Sequence, residues 1–255
     1  MTVSLAPELL AGFLFALVRT SAWIVVAPPF ASNAVPGRVK IVIAVAIALV
    51  LAGNDPLAGH RDLFDLGPFV AGVAYQAFIG LALGFAVLMV FAAVQAAGEL
   101  VDLFSGFSAA QLYDPFSNAT ATPIGRLYQM VAVGLLFATN GHLRLVAGFM
   151  SSFEHAPLTG PRLDDLGRLV TRDVAGLLVA AVEMAAPLLA ALFLTELTLG
   201  LLGRAAPQTN ILAVSFAVKI FVVLVLAGIA LPLLPGAVDG IVSDVVRTMG
   251  KLVGA

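Results

Sequence analysis

Four charged side chains lie inside long apolar stretches of this chain: Arg19, Glu183, Glu196 and Lys219. A charge facing hydrocarbon is costly, so each of them must face protein or water. Glu196 and Arg204 are about two helical turns apart and share roughly one face. Lys219 lies beyond the turn Gly203–Asn210, which reads GRAAPQTN. A helical hairpin bent at that turn brings Glu196 and Lys219 near each other. Such a pair either staples the hairpin or presents itself to a neighbouring protein. The chemistry these residues offer is recognition rather than bond-making.

Other chemistry finds little support. His60, His142 and His155 are scattered, with no HxxxH or HExxH spacing to hold a metal, and they read as solvated loop histidines. There is no GxGxxG and no phosphate-binding loop, so no nucleotide cofactor is expected. No serine stands in a nucleophile-elbow context and no carboxylate pair is spaced for acid/base work. The chain is therefore expected not to be an enzyme and to need no cofactor. Cysteine is absent, which excludes disulfides and thiolate metal sites. A net charge of −2 without a basic cluster gives no reason to expect nucleic acid.

The elements that must carry these charges are apolar helices. Hydrophobic residues make up 61% of the 255 positions and charged residues only 11%, against about 25% charged in a soluble domain. Several runs approach or exceed the length that crosses a bilayer. The expected fold is all-α and membrane-type, with about six apolar helical segments and kinked hairpins. The segments are Leu9–Ala31, broken late by Pro28-Pro29; Ile41–Ala52; Phe69–Ala97; Arg126–Thr139 with Leu143–Phe153 as one bent or re-entrant pair; Val174–Leu202; and Ile211–Val238. The start MTVSLAPELL has no basic region and Arg19 interrupts the first run, so that segment reads as retained rather than as a cleaved signal. Ile41–Ala52 is under-length, roughly 18 Å against about 30 Å of hydrocarbon, and reads as packed against protein. Gly80-Leu-Ala-Leu-Gly84 is a GxxxG pattern that permits close helix approach, or a chance spacing in a glycine-rich chain. Val238–Leu252 places apolar residues at i, i+3, i+4 and reads as an amphipathic interfacial helix. The basic linkers 32–40 and 203–219 would be cytoplasmic if the N-terminus lies outside.

Between the apolar halves lies Gly98–Gly125, with Glu99 and Asp102 at its start, aromatics at Phe104, Phe107, Tyr113 and Phe116, and breakers at Asp114-Pro115 and Pro123. A long stretch without regular pattern is usually functional or disordered, and its aromatic content argues against disorder. It is expected to be a functional loop.

Several stretches together resemble a known family, the R-type subunit (FliR/SctT) of the flagellar and type III secretion export gate. They are Val25–Phe30 (VVAPPF) with Val35–Ile41 (VPGRVKI), Gly98-Glu99, Leu135–His142 (LLFATNGH), Ala186-Pro187 with Gly200–Arg204, and Pro207–Asn210 with Val218-Lys219-Ile220. They follow the family's order over nearly the whole chain. The resemblance implies a P-like N-terminal part, residues 1–173 with the central loop 98–125, joined to a Q-like helical hairpin and amphipathic tail, residues 174–255. It implies a secretion channel formed with P- and Q-type subunits, a B-type switch protein as partner, and exported unfolded proteins in transit. It implies the bacterial inner membrane, at a flagellar basal body or secretion-system base. The central loop is similar to the family's plug, in which Phe104, Gly106, Phe107 and Tyr113 would close the lumen; the same aromatics could instead pack the loop onto its own helices. Arg38, Lys40, Glu196, Arg204, Gln208, Asn210 and Lys219 fall at expected subunit interfaces. A small secondary transporter or a membrane assembly scaffold is the alternative, although no matched Gly/Pro gaps in two halves favour a transporter.

Overall fold

Runs rich in Leu, Ala, Val and Phe become helices here, even across Pro187 and the glycines at 72, 80, 84 and 98. The computed structural model describes residues 7–32, 35–52, 65–106, 122–155, 163–206, 208, 210–230 and 234–253. Every regular element among them is a helix: α1 (Pro7–Val26), α2 (Gly37–Ala52), α3 (Leu66–Ser105), α4 (Pro123–Ala138), α5 (Gly141–His155), α6 (Leu163–Ala205), α7 (Ile211–Ala230) and α8 (Leu234–Val253). Helices α1, α3 and the 182–205 part of α6 are long and apolar enough to cross a membrane, and α4 with α5 makes a fourth span if the pair counts as one. The other apolar segments, α2 and the 214–226 part of α7, are shorter. The architecture is thus all-helical and membrane-type, with three helices of spanning length among the described residues, or four counting the bent pair.

Several boundaries move from those read in the sequence. Helix α1 stops at Val26, just ahead of Pro28-Pro29, since a residue before proline is pushed out of helical geometry. The last apolar run is cut between Ala230 and Leu234, so Val238 belongs to α8. Helix α6 begins at Leu163, eleven residues ahead of the apolar run that starts at Val174. Most consequentially, α3 runs on to Ser105. Residues 98–105 and 123–125 of the central stretch are therefore helical. Of the loop itself, residues 107–121, including Phe107 and Tyr113, lie outside the described residues.

The chain divides into two compact units, one of Met1–Met89, Asn140–Asp173 and Ile241–Ala255, the other of Val90–Thr139 and Val174–Gly240. The first has an aromatic core in which the rings of Trp23 and Phe149 stack at 4.5 Å and Phe153 meets Phe149 edge-on. The GxxxG pair serves close approach there. A Cβ on Gly80 would run into the carbonyl oxygen of Arg19, and one on Gly84 would sit 3.0 Å from Val26 Cβ. Backbones this near leave room only for glycine. Arg19 is buried in the same unit. Its guanidinium donates to Gln76 Oε1 at 2.5 Å and to the carbonyl of Ser152 at 3.0 Å, and lies 4.2 Å from the centroid of the Phe153 ring. In-span Arg19 thus faces protein, as its cost in lipid requires.

The second unit is built on Ala97, Val101, Ile124, Ala185, Leu188, Leu192 and Val223. These come from the end of α3, the start of α4, and the α6–α7 hairpin. Their small and branched side chains bring four helical segments onto one core, which fixes where the central stretch leaves and re-enters the fold.

Candidate functional site

The two ends of the central stretch meet in the second unit. Gly98 lies against Gly125 so closely that a Cβ on it would stand 2.7 Å from Gly125 Cα. One turn further along α3, Asp102 is fully buried. Its Oδ2 accepts hydrogen bonds from the amides of Ile124 at 2.8 Å and Gly125 at 3.0 Å. The first amides of a helix have no partner within the helix. Pro123, at the first helical position, has no N–H to satisfy, and Thr122, the residue before it, makes no side-chain cap. Asp102 supplies the cap from another helix instead, placing a carboxylate at the positive end of α4. Residues 106–122 therefore leave from and return to one fastened neck.

The exit from α3 is equally defined. Gly106 adopts φ +89°, a left-handed geometry that glycine alone takes without strain. Its amide donates to the carbonyl of Asp102 at 3.1 Å, closing the helix. The Phe216 ring of α7 covers it, with Cε1 3.0 Å from where a Cβ would stand. Phe104, two residues before, is 52% exposed, so its ring is not spent on packing α3 within the described residues.

The hairpin charges fall as the sequence suggested for two residues and less closely for others. Lys219 and Glu196 form an ion pair across the α6–α7 hairpin, with the lysine side chain 16% exposed and the glutamate 61%. Arg204, in the last turn of α6, is exposed, as are Gln208 and Asn210 in the turn; the Asn210 carbonyl accepts the Val214 amide at 3.2 Å. Glu183 is exposed on α6 as well. Arg38 and Lys40 belong to the other unit. Arg38 is exposed on the first turn of α2, whereas Lys40 donates to the Ala31 carbonyl at 3.0 Å and so holds the turn after α1.

Sequence reasoning singled out Gly106 and Phe104 but missed the cap by Asp102, the contact of Gly98 with Gly125, and the cover by Phe216. In the sequence Thr122-Pro123 reads as an ordinary capped helix start, so no local signal pointed to a remote acid. Among the described residues no group of three His, Asp or Glu could hold a metal ion. His142 stands in the first turn of α5 and His155 is its last residue, while His60 lies outside the described residues.

The helices and the fastened neck define an all-helical, membrane-type protein. The chain belongs to the bacterial export proteins, family 1, which it matches over residues 10–245. It is 31% identical to the flagellar biosynthetic protein FliR of Escherichia coli K12 over 242 residues, covering 94% of this chain and 92% of that one. It is 28% identical to FliR of Bacillus subtilis 168 over 249 residues, 96% and 95% of the two chains. A shorter match, 27% over 150 residues and 58% of each chain, joins it to Yop proteins translocation protein T of Yersinia pestis. As a member of this family the chain is an export-apparatus component, not an enzyme.

Proposed function

We propose that this protein is a subunit of the export gate of a flagellar type III secretion system in the bacterial inner membrane, at the basal body. It forms the secretion channel with P- and Q-type subunits, and exported unfolded proteins pass through that channel. A B-type switch protein is a further partner. Residues 1–173 act as the P-like part and 174–255 as the Q-like hairpin and tail.

The central stretch closes the lumen, with Phe104, Gly106, Phe107 and Tyr113 as the plug. The observation that carries this reading is the neck. Gly98, Asp102, Ile124 and Gly125 hold both ends of one aromatic-rich stretch together, so it can be presented as a unit while the helices stay packed. Exposed Phe104 beside the left-handed Gly106 gives that unit an apolar entry. The flagellar assignment is supported by the coverage above 90% of both chains in the E. coli and B. subtilis matches, against 58% for the translocation protein.

Glu196, Lys219, Arg204, Gln208 and Asn210 at the hairpin, with Arg38 and Lys40 on α2, are the subunit contacts. One exposed acid, Glu196, and two exposed bases, Arg38 and Arg204, on otherwise apolar helices support this, because lipid cannot satisfy them and a protein neighbour can. Mild-detergent purification with mass measurement of the intact complex tests the proposal. Recovery of this chain together with short two-span and four-span apolar subunits is expected. Recovery of the chain alone, moving a small solute when placed in liposomes, would establish the transporter reading instead.

A further inference from the structure

The exit from α3 is walled differently from the neck behind it. At Gly98 the three nearest atoms to where a Cβ would stand are backbone atoms of Gly125 and Ile124, 2.7 to 2.9 Å away. At Gly106 the three nearest among the described residues all belong to the Phe216 ring, 3.0 to 3.7 Å away. Packed backbone cannot yield, but a side chain can turn. A phenylalanine on a helix has two χ1 wells open to it, near 180° and −60°. Phe216 is 41% exposed, so the ring has open space beside it. The neck is fixed, and the exit has a movable wall.

That wall covers the last turn of α3. There the Asp102 carbonyl accepts the Gly106 amide at 3.1 Å and the Ser105 hydroxyl at 3.2 Å. Ser105 is buried although it is the last residue of the helix. A ring laid on Gly106 keeps competing water from one side of this turn.

The position of the ring is set one turn along α7. Lys219 follows Phe216 by three residues and so shares its side of the helix. Lys219 is paired with Glu196 of α6, and α6 is held to the end of α3 where Leu188 and Leu192 share a core with Ala97 and Val101. The closed pair therefore fixes the rotation of α7 beside Phe216. Its two members are unequally placed, since Glu196 is exposed and Lys219 is largely covered. A cation from outside can reach the carboxylate without displacing the lysine first. Lys219 then loses its tether, and this turn of α7 is free to rotate.

We propose that Phe216 is a positioning residue for the exit of α3 and that the Glu196–Lys219 pair controls it. With the pair closed, the ring covers Gly106. With Glu196 drawn off by a cationic side chain of a neighbouring subunit, the ring turns away and the last turn of α3 opens. One element with two arrangements, biased from a separate site, is what coupling between sites requires. The outer half of this relay rests on the subunit contact proposed above for Glu196, and its consequence for the lumen on the proposed closing role of the central stretch.

The test reads the exit directly on the full-length chain in nanodiscs. The chain has no cysteine, so Ser105→Cys places a single thiol in the covered turn. Its rate of reaction with a water-soluble maleimide reports how often that turn opens, with the rate in denaturant as the fully open reference. Phe216→Ala is expected to raise the rate several-fold at nearly unchanged Tm. Phe216→Leu, which keeps apolar bulk without the ring, should fall between and guards against general loosening as the cause. Lys219→Met and Glu196→Gln break the pair from either side, and each should raise the rate by up to about fivefold, the range that a partly exposed pair allows. Neither should add to Phe216→Ala, because the ring through which they act is gone. Arg204→Gln, an exposed charge on the same hairpin outside the pair, should leave the rate at the parent value. A parent-like rate in Phe216→Ala, a parent-like rate in both pair variants, or full additivity with Phe216→Ala would each overturn the proposal. The labelling does not depend on what the central stretch does in a channel. These rate changes together with unchanged leak from the Phe104 and Phe107 double variant would therefore keep the relay and remove the plug.

Discussion

The carboxylate of Asp102 reaches the backbone amide of Gly125 at 3.0 Å, joining the end of one helix to the start of another across the whole central stretch. A second bond, to Ile124 at 2.8 Å, makes the side chain a complete cap for α4. Because the group is buried, water cannot take over if it is lost. Asp102→Ala should leave two buried amides unsatisfied and destabilise the protein by about 1–3 kcal/mol per orphaned group. Asp102→Asn keeps one acceptor oxygen and should lose less. Thermal unfolding of the two variants checks the order, and an alanine variant as stable as the parent would show that the cap does not hold the neck.

The glycines make a sharper contrast. Gly98→Ala forces a methyl group to 2.7 Å from Gly125 Cα, where the opposing atom is backbone and cannot swing away. Overpacking of this kind costs about 1–3 kcal/mol. At Gly134, inside α4, nothing lies within 4 Å of where a Cβ would stand. There the same substitution only removes backbone freedom from the unfolded chain, so Gly134→Ala should stabilise by about 0.4–1 kcal/mol. Opposite signs of the two Tm shifts are the expected result.

The neck was hard to see in the sequence for a physical reason. Glu99 and Asp102 interrupt an apolar run and look like the start of a loop, yet helicity and hydropathy are separate properties. Gln95 Nε2 donates to Glu99 Oε1 at 2.8 Å one turn away, supporting the helix through the polar residues. Nothing local distinguishes Asp102, which caps a helix 22 residues on, from Glu99, and Gly98 and Gly125 are two of 24 glycines. The hairpin was more legible, because a short turn between two helices constrains which side chains meet. Glu196 and Lys219 indeed pair. The apolar segments were legible as helices for the same local reason, while their ends moved wherever polar residues continued a helix.

If the central stretch closes a lumen, its aromatics set the seal. Phe104 is exposed on the last turn of α3, two residues ahead of the left-handed Gly106. Replacing Phe104 and Phe107 together with Ala removes the apolar bulk and leaves the cap by Asp102 in place. Leak of small solutes across the inner membrane should rise while the complex still assembles. Unchanged leak with secretion intact would sink the plug assignment and favour packing of the aromatics onto neighbouring helices.

Arg19 ties three helices with one side chain, from α1 to Gln76 on α3 and to Ser152 on α5. A lysine carries the same charge but cannot direct separate N–H groups to both acceptors in a plane. Arg19→Lys should therefore lower Tm although charge is conserved, and Arg19→Ala should lower it further by leaving Gln76 and the Ser152 carbonyl short of donors. Equal stability of parent and lysine variant would mean that charge alone is what the site requires.

The Lys219–Glu196 pair separates a staple from an interface. Lys219 is largely covered while Glu196 is 61% exposed, so the pair is held from one side and open on the other. A solvent-exposed ion pair contributes only about 0–1 kcal/mol to folding. If the pair merely staples the hairpin, Lys219→Ala and Glu196→Ala should each cost the isolated chain that little and leave assembly untouched. If the exposed carboxylate meets a neighbouring subunit, removing Lys219 leaves Glu196 without its internal partner at a contact from which water is excluded, where an unpaired charge costs far more. The expectation is that Lys219→Ala sharply reduces recovery of the intact complex while barely moving the thermal stability of the chain itself. Full recovery of the complex from the Lys219→Ala variant would assign the pair to the hairpin alone.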